Sequence, residues 1–256
     1  MHWFQAIILG MIEGITEFLP ISSTGHMILA GKLMGIASSE FTKSFEVIIQ
    51  LGAILAVVVI YIKRVWEMKV WWGRVVIAFV PTGVLGILLY KIVKTYFLGN
   101  DMLVTVSLIV GGVALIAIEK YLSKSKNIGK EIEVMEYPKL AIVGLAQSLS
   151  MIPGVSRSAA TIFGGMGVGM SRRAAVEFSF LLAVPTMMAA TGLDLVKMGT
   201  SFAKSEIQLL AIGFVVAFLT AWIVVKAFIK YVQHHSFEIF GWYRIAIGIL
   251  YLLIVK

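Results

Sequence analysis

The sequence predicts an all-α integral membrane protein, with six transmembrane helices and two re-entrant helical hairpins in an inverted-topology repeat. Three observations support this prediction. Of the 256 residues, 59% are hydrophobic and 14% are charged, whereas soluble domains carry about 25% charged residues. Apolar runs of membrane-spanning length recur along the chain. Two further apolar regions are each interrupted by a proline and a cluster of serines.

Six segments are long and apolar enough to cross a bilayer, which takes about 20 helical residues. They are residues 41–62, 75–92, 102–120, 172–197, 207–226 and 241–255. The two interrupted regions, residues 3–36 and 139–170, each consist of two pieces of roughly 10–14 residues. Because such pieces are too short to span, each region is expected to form a hairpin that returns to its own side of the membrane.

The hairpins divide the chain into two related halves of one membrane domain. The domain is residues 1–256, with a first repeat at 1–120 and a second at 139–256. Gly10-Met-Ile-Glu13 aligns with Gly144-Leu-Ala-Gln147, and Ser23 aligns with Ser156 if one residue is dropped before the proline. Each half is a hairpin followed by three spans. Since three is odd, the halves must enter the membrane in opposite senses.

Basic residues predict the orientation. Seven lysines fall on one side of the predicted topology and fourteen basic residues on the other. The positive-inside rule places the fourteen in the cytoplasm, so both termini and the first hairpin are expected outside. The fourteen are Lys63, Arg64, Lys69, Arg74, Lys120, Lys124, Lys126, Lys130, Lys139, Arg172, Arg173, Lys226, Lys230 and Arg244.

Composition also excludes several classes of protein. The net charge of +8 does not indicate nucleic-acid binding, because the basic residues lie in short loops between apolar segments. The absence of cysteine excludes disulfides, thiolate nucleophiles and thiolate metal sites. The N-terminus lacks a basic n-region, so no cleavable signal peptide is expected.

The first hairpin concentrates polar groups at its break. Glu13 and Glu17 are four residues apart and share one face of a helix. Pro20 stops that helix, and Ser22 or Ser23 is suited to cap the next one. His26 follows in the first turn of the second helix. Acidic, hydroxyl and imidazole groups are therefore expected together at mid-membrane.

The second break, Pro153-Gly-Val-Ser-Arg157, repeats the design with an arginine. Both breaks direct helix N-termini, with free backbone N–H groups, at one buried place. The guanidinium fork of Arg157 grips phosphate oxygens in pairs. Nearby hydroxyls add further hydrogen bonds, on Ser156, Ser158 and Thr161.

Charged groups at mid-membrane indicate function. Glu13, Glu17 and Arg157 each cost about 2.5–3.5 kcal/mol there on insertion scales. The two glutamates also repel each other unless one is protonated or a cation lies between them. An oxygen-rich site with few protein ligands suits Mg²⁺ or Ca²⁺ completed by substrate phosphates.

At these residues the chain resembles the bacterial undecaprenyl pyrophosphate phosphatases, the bacitracin-resistance protein family. The segments Glu13 to His26 and Pro153 to Thr161 look like the two signature motifs of that family, and the resemblance covers the whole length. It implies hydrolysis of undecaprenyl diphosphate to undecaprenyl phosphate and inorganic phosphate, which supplies the lipid carrier for cell-wall precursors. It also implies six spans, two re-entrant hairpins, a divalent-cation requirement, and a site in the bacterial inner membrane that opens outward.

The resemblance also assigns roles to residues. The expected catalytic residues are Glu17, Ser23, His26 and Arg157. The expected ligands of the polyprenyl diphosphate are Ser22, Thr24, Gly154, Ser156, Ser158 and Thr161. The expected metal ligands are Glu13 and Glu17.

Several alternatives remain open from sequence. Ser23 attacks the terminal phosphorus while His26 or Glu17 takes its proton, or else His26 is the nucleophile or the base for a water. Ser22, Ser158 and Thr161 are alternatively explained as partners of backbone groups at the breaks, and Gln50 is equally compatible with a structural role. The alternative function is a secondary transporter or polyprenyl-phosphate flippase on the same scaffold. The partners expected are membrane lipid and, as an assembly left open, a homodimer.

Overall fold

The structure is a computed structural model that describes residues 1–37, 39–67, 69–97, 100–123, 129–198 and 202–254. Almost all of these residues are helical. In chain order the helices are α1 (Trp3–Thr16), α2 (Ser23–Leu33), α3 (Glu40–Glu67), α4 (Lys69–Ile92), α5 (Asp101–Leu122), α6 (Tyr137–Ser148), α7 (Arg157–Gly167), α8 (Arg172–Met198), α9 (Lys204–Tyr231) and α10 (Glu238–Ile254). A π-helical turn at Val93–Phe97 and 3-10 turns at Ile132–Val134 and Leu149–Met151 complete them.

The long helices confirm the prediction of an all-helical membrane protein. In the described part of the chain, five helices are long and apolar enough to cross a membrane, namely α3, α4, α5, α8 and α9. Each contains one predicted span and extends beyond it at one or both ends. The sixth predicted span, residues 241–255, corresponds to α10, which has 17 residues; residue 255 lies outside the described residues.

The first interrupted region forms a hairpin of two antiparallel helices. Gln5, near the start of α1, donates a hydrogen bond from Nε2 to the carbonyl of Met34, just beyond α2, over 3.4 Å. At the opposite end, the hydroxyl of Ser23 contacts the carboxylate of Glu17. Helix α1 ends at Thr16 because Pro20, four residues later, has no N–H to continue the helical hydrogen bonds.

The second interrupted region pairs α6 with α7 in the same way. A side-chain carbon on Gly164 of α7 would lie 2.8 Å from the Cβ of Ala146 in α6, so the helices touch closely at this glycine. Between them, Gly154 adopts φ +92° and lies against α5, where a side-chain carbon would meet the carbonyl of Val104 at 2.6 Å. A glycine is required here both for its backbone conformation and for the close approach.

Each hairpin is held against a long helix of the other half of the chain. Helix α1 packs on α9, where a side-chain carbon on Gly10 would lie 2.7 Å from the carbonyl of Gly213. Helix α6 packs on α4, where a side-chain carbon on Gly144 would lie 1.9 Å from the carbonyl of Ala78. Helices α5 and α10 pack on each other. These contacts bring the breaks of the two hairpins together.

One assignment used for the orientation is wrong. Arg244 was counted with a cytoplasmic loop, but it lies inside α10 and is fully buried. Its guanidinium bonds to backbone carbonyls in the protein interior, which makes an arginine within an apolar helix stable there. Lys124, Lys126 and Lys256, which also entered the comparison, lie outside the described residues. Without Arg244, basic residues are still more numerous on the side predicted to be cytoplasmic, although by a smaller margin.

The close contact between α6 and α4 gives a test of the packing. We expect Gly144→Ala to lower the free energy of unfolding by roughly 1–3 kcal/mol, because the added carbon has no space beside Ala78. Thermal unfolding of the purified protein in detergent measures this. Gly192→Ala in α8 is the control, since nothing lies within 4 Å of the added carbon. Equal behaviour of the two variants would contradict the close packing.

Candidate functional site

The breaks of the two hairpins face one cavity. The cavity has a volume of about 220 Å³ and draws its walls from both breaks and from α3 and α8. Its lining contains hydroxyl groups, one carboxylate and one guanidinium among a few apolar side chains. The lining residues are Glu17, Ser22, Ser23, Thr24, Gln50, Ser150, Pro153, Gly154, Ser156, Arg157, Met187 and Ala190.

Two serines cap the helices that begin at this cavity. The hydroxyl of Ser22 accepts a hydrogen bond from the N–H of Gly25 at 3.5 Å, and that of Ser156 accepts one from Ala159 at 3.2 Å. Both serines have a positive φ, 73° and 76°. This conformation is uncommon for residues other than glycine and costs about 1–3 kcal/mol. The surrounding structure therefore enforces both turns.

The matching caps correct the alignment of the two halves. Ser22 is the structural counterpart of Ser156, so the predicted pairing of Ser23 with Ser156 is wrong by one residue. Ser23 instead corresponds to Arg157, and both are the first residues of their helices. A hydroxyl and a guanidinium thus occupy equivalent positions at the two helix N-termini that meet in the cavity.

Ser23 and Glu17 form a hydrogen-bonded pair at the cavity wall. The Ser23 hydroxyl donates to Oε2 of Glu17 over 2.5 Å. Both residues are 8% exposed. A carboxylate at this distance from a hydroxyl can take its proton when the oxygen attacks an electrophile. The two residues therefore have the geometry of a nucleophile and its base.

Arg157 links the second hairpin to the same carboxylate. Its Nη2 lies 2.8 Å from Oε1 of Glu17, which confirms the prediction that the acidic groups and the arginine meet. Nη1 donates to the carbonyl of Ser179 in α8 over 3.1 Å, and the guanidinium lies 5.5 Å above the ring of Phe18. Nε is buried and makes no hydrogen bond within the described residues. The guanidinium is thus fixed, with one donor still available.

Glu13 lies behind Glu17 and does not line the cavity. It is 1% exposed, its carboxyl neighbours that of Glu17, and its Oε1 has no hydrogen-bond partner among the described residues. No group of three or more histidine, cysteine, aspartate or glutamate residues in this part of the chain is arranged to hold a metal ion. Two adjacent carboxyl groups with one unsatisfied oxygen nevertheless fit Mg²⁺ or Ca²⁺ when a ligand supplies the remaining oxygens.

His26 also lies outside the cavity lining. Its Nδ1 is 2.8 Å from the carbonyl oxygen of Ser22, and its Nε2 is 2.9 Å from the hydroxyl of Tyr243 in α10. The His26 and Tyr243 rings stack in parallel with 5.5 Å between centroids. Because a carbonyl oxygen only accepts, Nδ1 donates, and in a neutral ring Nε2 accepts from the tyrosine. Both ring nitrogens are therefore engaged, Nδ1 by the Ser22 turn and Nε2 by α10.

The predicted ligand-binding hydroxyls divide into two groups. Ser22, Thr24 and Ser156 line the cavity, as does Gly154. Ser158 instead donates to the carbonyl of Phe18 over 2.7 Å, and Thr161 lies 2.5 Å from the hydroxyl of Ser179. Both are completely buried. In this structure Ser158 and Thr161 satisfy groups of the protein rather than face the cavity.

Several residues around the site gave weak signals or none in the sequence. Gln50 lines the cavity, and a polar residue in a predicted span was an ambiguous signal. Ser150, Ser179 and Met187 carried no signal, since each resembles its surroundings in composition. Tyr243 next to Trp242 is typical of an aromatic at the membrane interface, so its contact with His26 has no signal in the sequence. Arg244 was detectable, because a charge within an apolar span indicates a functional or structural site.

The fold and the site define a helical membrane protein with a buried polar cavity that joins a hydroxyl–carboxylate pair to a guanidinium. Residues 6–250 match the family described as bacitracin resistance protein BacA. The chain is 52% identical over 253 residues to the undecaprenyl-diphosphatase of Aquifex aeolicus, with 98% of each chain covered. It is 50% identical to that of a Sulfurihydrogenibium species over 99% of each chain, and 49% identical to that of Persephonella marina over the full length of both. The protein belongs to the BacA family and is a multi-pass membrane protein.

Proposed function

We propose that this protein is an integral membrane phosphatase that hydrolyses undecaprenyl diphosphate to undecaprenyl phosphate and inorganic phosphate. The observation that carries the proposal is the Ser23 hydroxyl, 2.5 Å from the Glu17 carboxylate and in the same cavity as Arg157. The relatives at up to 52% identity are named undecaprenyl-diphosphatase. In a bacterial cell membrane this reaction recycles the lipid carrier of cell-wall synthesis and supports resistance to bacitracin.

The cavity suits the diphosphate end of a polyprenyl lipid. The N-termini of α2 and α7 both begin there, and helix N-termini favour phosphate through their free N–H groups and dipoles. Arg157 adds a charged donor to the terminal phosphate. Thr24 and Ser156 supply further polar contacts from either hairpin. The isoprenyl chain remains in the apolar phase of the membrane.

Ser23 is the proposed nucleophile. Its Oγ attacks the terminal phosphorus and loses its proton to Glu17, and the bond from that phosphorus to the bridging oxygen breaks. Glu17 passes this proton to the departing oxygen, undecaprenyl phosphate leaves, and a phosphoserine remains. Water then attacks the phosphoserine, and Glu17 accepts a proton from the water and returns it to the Ser23 oxygen, which releases inorganic phosphate and restores both groups. Arg157 and the helix N-termini stabilise the charge that spreads over the phosphoryl oxygens.

Glu17, rather than His26, is the proposed base. Glu17 is hydrogen-bonded to the Ser23 hydroxyl, whereas both nitrogens of His26 are occupied by Ser22 and Tyr243. His26 is then a positioning residue. By binding the carbonyl of Ser22 it maintains the left-handed turn that places Ser23 at the cavity.

A divalent cation is the proposed cofactor, held by Glu13 and Glu17. When bound, it would offset the charge of the carboxylates and of the diphosphate oxygens. The unsatisfied Oε1 of Glu13 supports this assignment. Glu13 places a second carboxyl group beside Glu17, and a cation between them would offset their mutual repulsion.

We further propose that the chain crosses the membrane six times as two inverted repeats, with α1–α2 and α6–α7 as re-entrant hairpins. The supporting observations are the equal order of elements, the matching caps at Ser22 and Ser156, and the reciprocal packing of α1 on α9 and α6 on α4. The loops on one side of the predicted topology carry more basic residues, which favours that side as the cytoplasmic one. Both termini and the opening of the site are then on the outer face. A transporter or flippase is not favoured, because transport of a phosphate ester needs no paired nucleophile and base.

The decisive test is phosphate release from undecaprenyl diphosphate by the purified protein in detergent. The wild-type protein is expected to release one phosphate per lipid. Ser23→Ala should reduce kcat by at least about 10³-fold, because the nucleophile is lost. Arg157→Lys should reduce kcat/KM by roughly 10²-fold, since lysine lacks the fork.

A Gln50→Ala variant is the control for these changes, because it alters the cavity wall without touching the pair of Ser23 and Glu17. It should retain most of the wild-type kcat. A folded wild-type protein that releases no phosphate with metal present, but moves lipid phosphate across vesicles, would contradict the phosphatase assignment.

The role of His26 is tested by comparing two substitutions. His26→Asn keeps an N–H donor near the position of Nδ1, whereas His26→Ala removes it. We expect His26→Asn to retain roughly a tenth or more of the wild-type kcat, and His26→Ala to lose about 10²-fold through misplacement of Ser23. Equal loss in both variants, or radioactive phosphate trapped on His26, would show that the imidazole acts chemically.

The metal proposal predicts that chelation abolishes most phosphate release and that added Mg²⁺ or Ca²⁺ restores it. Glu13→Gln should raise the cation concentration for half-maximal activity by roughly tenfold or more, because one ligand is lost. Glu46→Gln, a nearby change that spares the proposed ligands, is the control. An unaltered metal requirement in Glu13→Gln would remove Glu13 from the metal site.

A further inference from the structure

Arg244 in α10 contacts both hairpin breaks without lining the cavity. The residue is 0% exposed and does not line the cavity. Its guanidinium donates hydrogen bonds to five backbone carbonyls on three parts of the chain. The acceptors are Pro20, Ser107, Leu108, Gly154 and Val155.

A single nitrogen of this guanidinium connects the two hairpins. Nη1 lies 3.2 Å from the carbonyl of Pro20 in the first break and 2.9 Å from that of Val155 in the second. Nη2 bonds to Gly154 at 2.9 Å and to Ser107 in α5 at 3.0 Å. All five N–H donors of an arginine are thereby matched. Val155 immediately precedes the cap Ser156, and Pro20 lies two residues before the cap Ser22.

The neighbouring helix α5 is shaped to receive this side chain. A side-chain carbon on Gly111 would lie 2.0 Å from Nη2 of Arg244. Any larger residue at position 111 would therefore displace the guanidinium. The absence of a side chain at Gly111 in α5 therefore leaves the space that the guanidinium of Arg244 in α10 occupies.

The charge of Arg244 has no carboxylate partner among the described residues, where all of its hydrogen bonds go to carbonyl oxygens. Arg157, in contrast, pairs with Glu17. A buried cation without a counter-ion next to the cavity favours an anion in it. The carbonyl of Val155 points toward Arg244. Because the C=O and N–H of a trans peptide point in opposite directions, the N–H of Ser156 points away from Arg244.

We infer that Arg244 is a positioning residue that holds the two hairpin breaks in register, so that Ser23 and Arg157 face the same diphosphate. The inference rests on the proposed phosphatase function. Arg244 touches neither the cavity nor the reacting atoms, and acts through the backbone of both breaks. Its loss separates the nucleophile from the anion-binding guanidinium, and a displacement of about 1 Å is enough to cost roughly 10²-fold in rate.

The test compares Arg244→Lys with wild-type protein in phosphate release from undecaprenyl diphosphate. Lysine keeps the charge, but its three donors on one atom cannot span five carbonyls. We expect KM to rise and kcat to fall, each by roughly tenfold. KM is the informative quantity, because it does not depend on how much of the sample is folded. A variant that merely unfolds in part leaves KM unchanged.

Arg74→Lys is the matched control. Arg74 is also a buried arginine that donates to backbone carbonyls, those of Met135 at 2.6 Å and Glu133 at 2.5 Å, but it neither lines the cavity nor bonds to either hairpin break. Its KM and kcat should stay within about twofold of wild type. Gly111→Ala is a second variant. It keeps the arginine at position 244 but displaces its guanidinium, and it should reproduce the rise in KM.

The outcomes are distinct. An inactive wild-type protein overturns the proposed function itself, whereas an active wild type with an unchanged KM in Arg244→Lys overturns only the role of Arg244. An equal rise in KM in Arg74→Lys would show that the rise is not specific to Arg244, and would also overturn the positioning role. If neither Arg244→Lys nor Gly111→Ala yields folded protein, Arg244 is a determinant of folding and the positioning role is rejected.

Discussion

The structure depends on the requirement that backbone polar groups be satisfied where no water reaches them. Each hairpin breaks its helical hydrogen bonds at a proline, and the break leaves free N–H and carbonyl groups inside an apolar fold. The carbonyls of Pro20, Gly154 and Val155 bond to Arg244. The N-termini of the following helices are capped by Ser22 and Ser156 and face the cavity. The helix breaks thus create the polar surface on which the site is built.

The same constraint explains why the charged residues occur together. An isolated carboxylate or guanidinium is costly in the interior, but Glu17 is bonded at one oxygen by Ser23 and at the other by Arg157. Breaking a buried pair of this kind by removing one partner typically costs 3–5 kcal/mol. In the proposed reaction, the oxygens of a diphosphate would compete with Glu17 for the guanidinium of Arg157.

The two hairpins share a backbone design and differ in chemistry. Ser23 and Arg157 occupy the same position after the cap, yet one is a hydroxyl and the other a cation. Gln147, at the position that corresponds to Glu13, bonds to Thr82 and Thr186 at 3.0 Å each and holds helices together. One half carries the carboxylate of the cavity, and the other carries its guanidinium. Two similar backbone turns therefore present different chemical groups to one cavity.

The sequence by itself determined the helical membrane fold, the five long helices, both interruptions and the identity of Glu17, Ser23 and Arg157 as neighbours. These follow from local features: the length of apolar runs, prolines that end helices, serines that cap them, and charges too costly to bury without purpose. Only the tertiary structure decided that Ser22 rather than Ser23 is the cap, that Ser158 and Thr161 are turned into the protein, and that His26 bonds to Tyr243. It also placed Arg244, which the orientation count puts on the cytoplasmic side, at the junction of the two hairpins. The physical reason for the last three outcomes is that they depend on which carbonyls and hydroxyls of other helices come within about 3 Å. Residues such as His26 and Tyr243, which are 217 positions apart, carry no local pattern that reports such a distance.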